Sequence, residues 1–269
     1  MRQFILNGQN IKNGLINIEG KDYRYLRQVL RIKIGDMLSV RLEDGSLCQT
    51  TVAKVDEKAH SVLLQICGDS GNRTITRGVQ ADELCAMKDA VEFWLIQFVT
   101  KPQKLELIVR QATECGVRKI LLVEGEFSEK SSLMALGQEG SKKDRLERII
   151  KEARQQSGSP VNTEVFGPMS LDSAIELWNS NSDNKNQLGF VLYERTEQTE
   201  ELKKVIENIG KEKIKRSAVC CGCEGGISPS EIEKLCKKGL FHPIHFTVNI
   251  LRAETAALYG LAVVQSNIL

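Results

Sequence analysis

VEFWLIQFVTKPQKLELIVRQATECGVRKILLV, residues 91–123, reads as a strand, a helix and a second strand in succession. Val91 to Val99 is a nearly continuous apolar run rich in β-branched and aromatic residues, as expected of a strand buried on both faces. Thr100 is placed to cap the helix that follows, Pro102 stands near its first turn, and Gln103 completes a capping box. Leu105, Ile108, Val109 and Ala112 supply the apolar stripe, Gly116 stops the helix, and Ile120 to Val123 is the next strand.

Toward the C-terminus the alternation continues. A helix is expected from about Lys142 to Gln156, apolar at Leu146, Ile149, Ile150 and Ala153, then a strand at Asn162 to Phe166 and a helix after Ser170. The polar tract Asn179 to Gln187 is a loop, and Leu188 to Tyr193 and Ser217 to Cys221 are strands separated by a Glu200 to Ile209 helix. This order implies an α/β domain with a parallel sheet covered by helices.

Toward the N-terminus the texture differs. From Arg2 to Ile66 short alternating runs prevail, including Met37 to Leu42 and Leu47 to Val55 around Glu43-Asp44-Gly45-Ser46, whose Asp-Gly pair signals a hairpin. A small β-barrel is expected, interrupted by a helix at Asp22 to Leu30 that would put Arg24, Arg27 and Arg31 on one face. The bland alternative is a solvated face of an amphipathic helix. Gly68 to Gly78 is Gly-rich and polar and reads as a linker, dividing the chain into domains at 1–70 and 78–269.

Two domains suit 269 residues, and 41% hydrophobic with 27% charged residues is ordinary globular composition. No apolar run approaches the ~20 residues of a bilayer span, and MRQFILNGQN lacks the layout of a secretory signal, so a cytoplasmic protein off the membrane is expected. The eight cysteines are then free thiols, and their spacing does not read as a metal site. Residues 1–78 hold 12 Lys and Arg against 8 Asp and Glu, a net +4, while the remainder is −2. A basic front section favours a polyanionic partner.

In open parallel sheets ligands bind beyond the carboxyl ends of strands, which directs attention to the loops after Tyr193, Cys221 and Phe246. Cys221-Gly222-Cys223-Glu224-Gly225-Gly226-Ile227-Ser228-Pro229-Ser230-Glu231 is a Gly-rich turn into a strongly capped helix. It matches neither phosphate-binding glycine motif, and it is either a tight turn or a place where backbone meets a ligand. Asn249-Ile250-Leu251-Arg252-Ala253-Glu254-Thr255-Ala256-Ala257 opens a small-residue helix running to about Gln265. Arg252 beside buried surface needs a partner, either a structural carboxylate or a ligand.

Tyr25-Leu26-Arg27-Gln28-Val29-Leu30-Arg31 with Gly35-Asp36, then ELIVRQATECGV (residues 106–117), then Gly222 to Gly226, then Ile250-Leu251-Arg252-Ala253-Glu254-Thr255-Ala256 resemble the small-subunit ribosomal RNA methyltransferase E family, in this order and across nearly the whole chain. The resemblance implies an N-terminal PUA-like β-barrel and a C-terminal SPOUT domain whose trefoil knot forms the cofactor pocket. It implies a homodimer that uses S-adenosylmethionine to methylate N3 of one uridine near the 3′ end of 16S ribosomal RNA, in the decoding region of the small subunit. The cofactor would be held, largely by backbone, at Leu192, Glu194, Gly222, Glu224, Gly225, Gly226, Phe246, Thr247, Ile250 and Leu251. Arg252 would be the catalytic residue, stabilising negative charge on the uracil, and Arg24, Arg27 and Arg31 would bind RNA phosphates. No metal is implied.

Five positions depart from the family pattern. Cys223 replaces a proline, Phe246-Thr247 a Leu-Gly, and Asn249 and Ser159 each an arginine. Thr247 puts a side chain where glycine would let backbone reach the cofactor, and the lost arginines bear on RNA affinity. Two rivals remain: a non-enzymatic RNA-binding or assembly factor of the same fold, and a thiol enzyme using Cys221 or Cys223 at a helix start.

Overall fold

The computed structural model describes residues 3–6, 11–42, 46–67, 91–137, 141–180, 186–194 and 199–269, with 135, 137 and 141–143 described by their backbone alone. The hairpin turn at 43–45 and the linker at 68–78 lie outside these residues. The chain divides into two units, residues 1–87 with Arg154–Pro160, and residues 88–153 with 161–269.

In the first unit Phe4–Ile5 (β1), Ile11–Lys12 (β2), Leu15–Glu19 (β3), Met37–Arg41 (β4), Leu47–Asp56 (β5) and Ser61–Ile66 (β6) form a sheet in the order β1-β4-β5-β6-β3-β2. β1 and β4 pair in parallel and the other pairs are antiparallel. The expected hairpin is β4 with β5, in register from Met37 opposite Thr51 to Arg41 opposite Leu47. Alternation sends Ile16, Ile18, Val40, Val52, Val62 and Leu64 into one core with Phe4 and Leu26. Buried Arg41 accounts for Arg154–Pro160 in this unit: its Nε donates to Gln3 Oε1 (2.8 Å) and its Nη2 to the Gly158 carbonyl (3.3 Å). Gln3 in turn donates to the Arg154 carbonyl (3.0 Å).

The arginine helix differs from expectation. Gly20–Arg24 (α1) widens at Tyr25–Val29 into a π turn, and Arg31 lies beyond it with φ 55°. Widening changes the angular step per residue, so the three arginines share no regular helical face. Arg24 and Arg31 are exposed, whereas Arg27 donates to the Ile32 carbonyl (2.6 Å) and to Glu57 (3.0 Å).

The second unit is a six-stranded parallel sheet of Glu92–Phe98 (β7), Lys119–Glu124 (β8), Glu164–Ser170 (β9), Gln187–Leu192 (β10), Arg216–Cys221 (β11) and Phe241–Ile244 (β12), in the order β12-β10-β11-β7-β8-β9. Helices cover both faces. Phe93, Leu95, Leu188, Phe190 and Val219 face one core with Pro102–Glu114 (α2), Ser141–Ser157 (α4), Leu202–Ile209 (α6) and Ala253–Ile268 (α8). Trp94, Ile96, Leu121, Val191 and Ala218 face the other with Leu171–Asn179 (α5) and Pro229–Lys237 (α7). Burial of alternate residues on opposite faces is why β7 reads as an unbroken apolar run.

Three local expectations are corrected. Lys101, not Thr100, is the N-cap of α2, and no side chain caps it, so the Gln103 capping box is not made; Pro102 and left-handed Gly116 act as expected. The third strand runs from Glu164 to Ser170 through Pro168, which an edge strand tolerates because one side of its backbone needs no partner. Lys130–Gly137 (α3) was not anticipated. Among the described residues no helix is long and apolar enough to cross a membrane.

Candidate active site

β12, β10 and β11 are parallel neighbours, so the loops after Leu192, Cys221 and Ile244 leave the sheet at one edge. They meet around a cavity of about 490 Å³ lined by Lys104, Leu192, Glu194, Cys221 to Ile227, Ile250 to Ala253 and Ala256. A second cavity of about 220 Å³ shares Leu192, Glu194, Ile250, Leu251 and Ala256 and adds Phe246, Asn249 and His245. Leu192, Glu194, Gly222, Glu224, Gly225, Gly226, Phe246, Ile250, Leu251 and Arg252 line one or both of these cavities. Thr247 lines neither cavity and is exposed. Its φ is not positive, so this backbone does not demand glycine.

The turn between β11 and α7 is shaped by the protein itself. A Cβ on Gly222 would lie 2.8 Å from the Gly226 carbonyl carbon, one on Gly225 would lie 2.6 Å from Phe127 Cβ, and Gly226 has φ 80°. The glycines thus serve the turn's own closure. Ser228 and Glu231 cap α7 reciprocally: Glu231 N–H donates to Ser228 Oγ (3.4 Å), Ser228 N–H donates to Glu231 Oε2 (2.8 Å), and Glu231 Oε1 accepts from Glu126 N–H (2.7 Å). From below, fully buried Gln97 donates through Nε2 to the carbonyls of Gly222 (3.0 Å), Phe98 (2.9 Å) and, more weakly, Cys221 (3.4 Å). Sequence reading passed over Gln97. Its signal was one amide inside a run otherwise buried on both faces, where a polar group must be bonded.

The cavity holds two cations with different commitments. Lys104 Nζ lies 3.3 Å from Glu224 Oε1 and 3.3 Å from Glu254 Oε2. Burial pulls the Lys104 ammonium down, but bonds to the two carboxylates hold it above the usual lysine value. Burial likewise pushes Glu224 up, but hydrogen bonds from its own and the Lys101 N–H, and from Lys104, hold it below the usual value. Arg252 is the exposed N-cap of α8, and among the described residues its guanidinium has no ion-pair or hydrogen-bond partner. A spare cation at the rim of a ligand-sized cavity can meet charge that develops on a substrate.

Cys220, Cys221 and Cys223 are held as neutral thiols. Burial pushes Cys220 and Cys221 well up, and at Cys223 burial outweighs the hydrogen bonds from Gly225 and Ser128. A reactive thiolate needs the opposite shift. His245 Nδ1 sits 2.5 Å from Thr199 Oγ1 and His242 Nδ1 2.8 Å from Glu200 Oε1.

Comparison with known proteins gives the family. Residues 87–265 match the RNA methyltransferase domain family, and residues 18–64 match the RNA methyltransferase PUA domain. The chain is 26% identical over 264 residues to ribosomal RNA small subunit methyltransferase E 2 of Borreliella burgdorferi, covering 97% of this chain and 96% of the relative. It is 25% identical to ribosomal RNA small subunit methyltransferase E of Rickettsia conorii, covering 97% and 93%. The crystal structure of ribosomal RNA small subunit methyltransferase E from Neisseria gonorrhoeae bound to S-adenosylmethionine superposes with a TM-score of 0.75 at 18% identity, over 99% of this chain and 97% of that one. That likeness shows the fold, an α/β parallel-sheet domain preceded in sequence by a PUA-like domain. The chain belongs to the RNA methyltransferase family, with that family's PUA domain N-terminal to the catalytic domain.

Proposed function

We propose that this protein transfers a methyl group from S-adenosylmethionine to N3 of one uridine in 16S ribosomal RNA of the small subunit, in the cytoplasm. Residues 1–70 would be the RNA-docking barrel and 78–269 the methyltransferase domain. The observation that carries the reading is the spare Arg252 cation at the rim of a glycine-walled cavity, in a chain of the RNA methyltransferase family.

The cavity suits the donor. About 490 Å³ lies in the range of small-ligand sites, and Leu192, Ile227, Leu251 and Ala256 give it an apolar wall beside the charged side chains of Lys104, Glu194, Glu224 and Arg252. Leu192 and Glu194, the Gly222 to Gly226 turn, and Phe246, Ile250 and Leu251 would hold it; S-adenosylmethionine, when bound, supplies an electrophilic methyl group. Uridine N3 must lose its proton to attack, which places negative charge on the uracil carbonyls. Arg252 stabilises that charge, and the turn and α8 hold base and donor in line. Arg24 and Arg31 contact RNA phosphates, whereas Arg27 is committed to Glu57 and serves the barrel. A homodimer is part of the proposal, supported by the exposed apolar residues Val248, Tyr259 and Leu269 around α8.

The test is transfer of labelled methyl to isolated small and large ribosomal subunits. Label in the 16S RNA alone is expected. Absence of transfer by folded protein that binds S-adenosylhomocysteine would favour a non-enzymatic factor instead.

A further inference from the structure

We infer that Lys104 is a positioning residue for the methyl donor, an ammonium that ties the Glu224 turn to the first turn of α8 and so fixes the spacing of two cavity walls. The inference rests on the cofactor reading above. Lys104 stands in the first turn of α2, a helix anchored on the sheet by Leu105, Ile108 and Val109. Its Nζ reaches Glu224 Oε1 and Glu254 Oε2, each at 3.3 Å. Glu224 belongs to the turn after β11, and Glu254 follows Arg252 at the start of α8. The Lys101 N–H adds a second bond from the α2 start to Glu224 Oε1 (3.3 Å).

One anchored helix therefore holds both walls by their side chains, while Gln97 on the preceding strand holds the turn by its backbone. Without the lysine, two carboxylates would face a shared space with no cation between them, and like charges at that range repel. The walls would part, moving Gly225 and Leu251 away from a ligand between them. Lys104 is spent on the protein, whereas Arg252, among the described residues of the cavity, is a cation with no protein partner.

The experiment is calorimetric titration of the full chain with S-adenosylhomocysteine, for wild type, Lys104→Met, Lys104→Arg and Glu254→Gln, with thermal melting of each. Lys104→Met should weaken binding about tenfold, the size of two partly exposed ion pairs. Lys104→Arg should restore it to within about threefold of wild type, and Glu254→Gln should lose about threefold, one pair's share. An unaltered dissociation constant in folded Lys104→Met overturns the inference, as does Lys104→Arg binding no better than Lys104→Met. Should Lys104→Met not fold, unchanged affinity in Glu254→Gln overturns it equally. Wild type that fails to bind overturns the cofactor reading, and this inference with it.

Discussion

The two walls of the cavity are built in opposite ways. The turn from Gly222 to Glu231 is held at every point: by Gln97 beneath, by the Ser228–Glu231 capping box, by Phe127 against Gly225, and by Lys104. The stretch from His245 to Arg252 has no strand or helix; Val248 is 46% and Ile250 89% exposed, and Phe246 rests edge-on against Tyr259 at 4.9 Å. One wall is formed before any ligand arrives. The other offers apolar side chains that a ligand would cover, so binding energy is available there to draw the loop in.

The largest effect is expected at the end of the open wall. Arg252→Ala should lower methyl transfer about 100-fold, the cost of removing one group that meets developing charge, while S-adenosylhomocysteine affinity and melting stay near wild type. Comparable losses in affinity and rate would instead make Arg252 part of the cofactor site. Gln97→Leu breaks the formed wall. It strips the turn's carbonyls of a buried donor and should cost about 1–3 kcal/mol of stability, read as a lower melting temperature, with weaker cofactor binding alongside.

Ile250→Ala sharpens the comparison from the other side. An exposed side chain contributes little to stability, so melting should be unchanged, whereas affinity should fall about threefold to tenfold if the ligand buries it. The smallest effect is in pH. Glu224 is held below the ordinary carboxylate value of 4.5, so its contribution is fully present above about pH 4.5 and is lost as pH falls through the depressed value. Binding of S-adenosylhomocysteine should be flat from pH 7 to about 4.5 and weaken below that, and Glu224→Gln should remove the decline.

Much of this was legible in the chain. β7, α2 and β8 follow from local pattern, since two-sided burial makes an apolar run and one-sided burial a helical stripe. The pairing of β4 with β5 and the Ser228–Glu231 cap are local chemistry and occur where the residues place them. The π turn at Tyr25–Val29 was not legible, because the hydrophobic spacing of Tyr23, Leu26 and Leu30 suits an ordinary helix equally well. Nor were the grips of Lys104 and Gln97 on the turn, which join residues more than a hundred positions apart. The glycines were read as either a tight turn or a ligand wall; their absent side chains answer to Gly226 and Phe127, neighbours that only the fold supplies.

The most direct test is nucleoside analysis of small-subunit RNA after incubation with labelled S-adenosylmethionine, for wild type beside Arg252→Ala. Label recovered as 3-methyluridine with wild type and reduced about 100-fold with the variant is the predicted result. Label in another nucleoside, or equal 3-methyluridine from both proteins, would contradict the account.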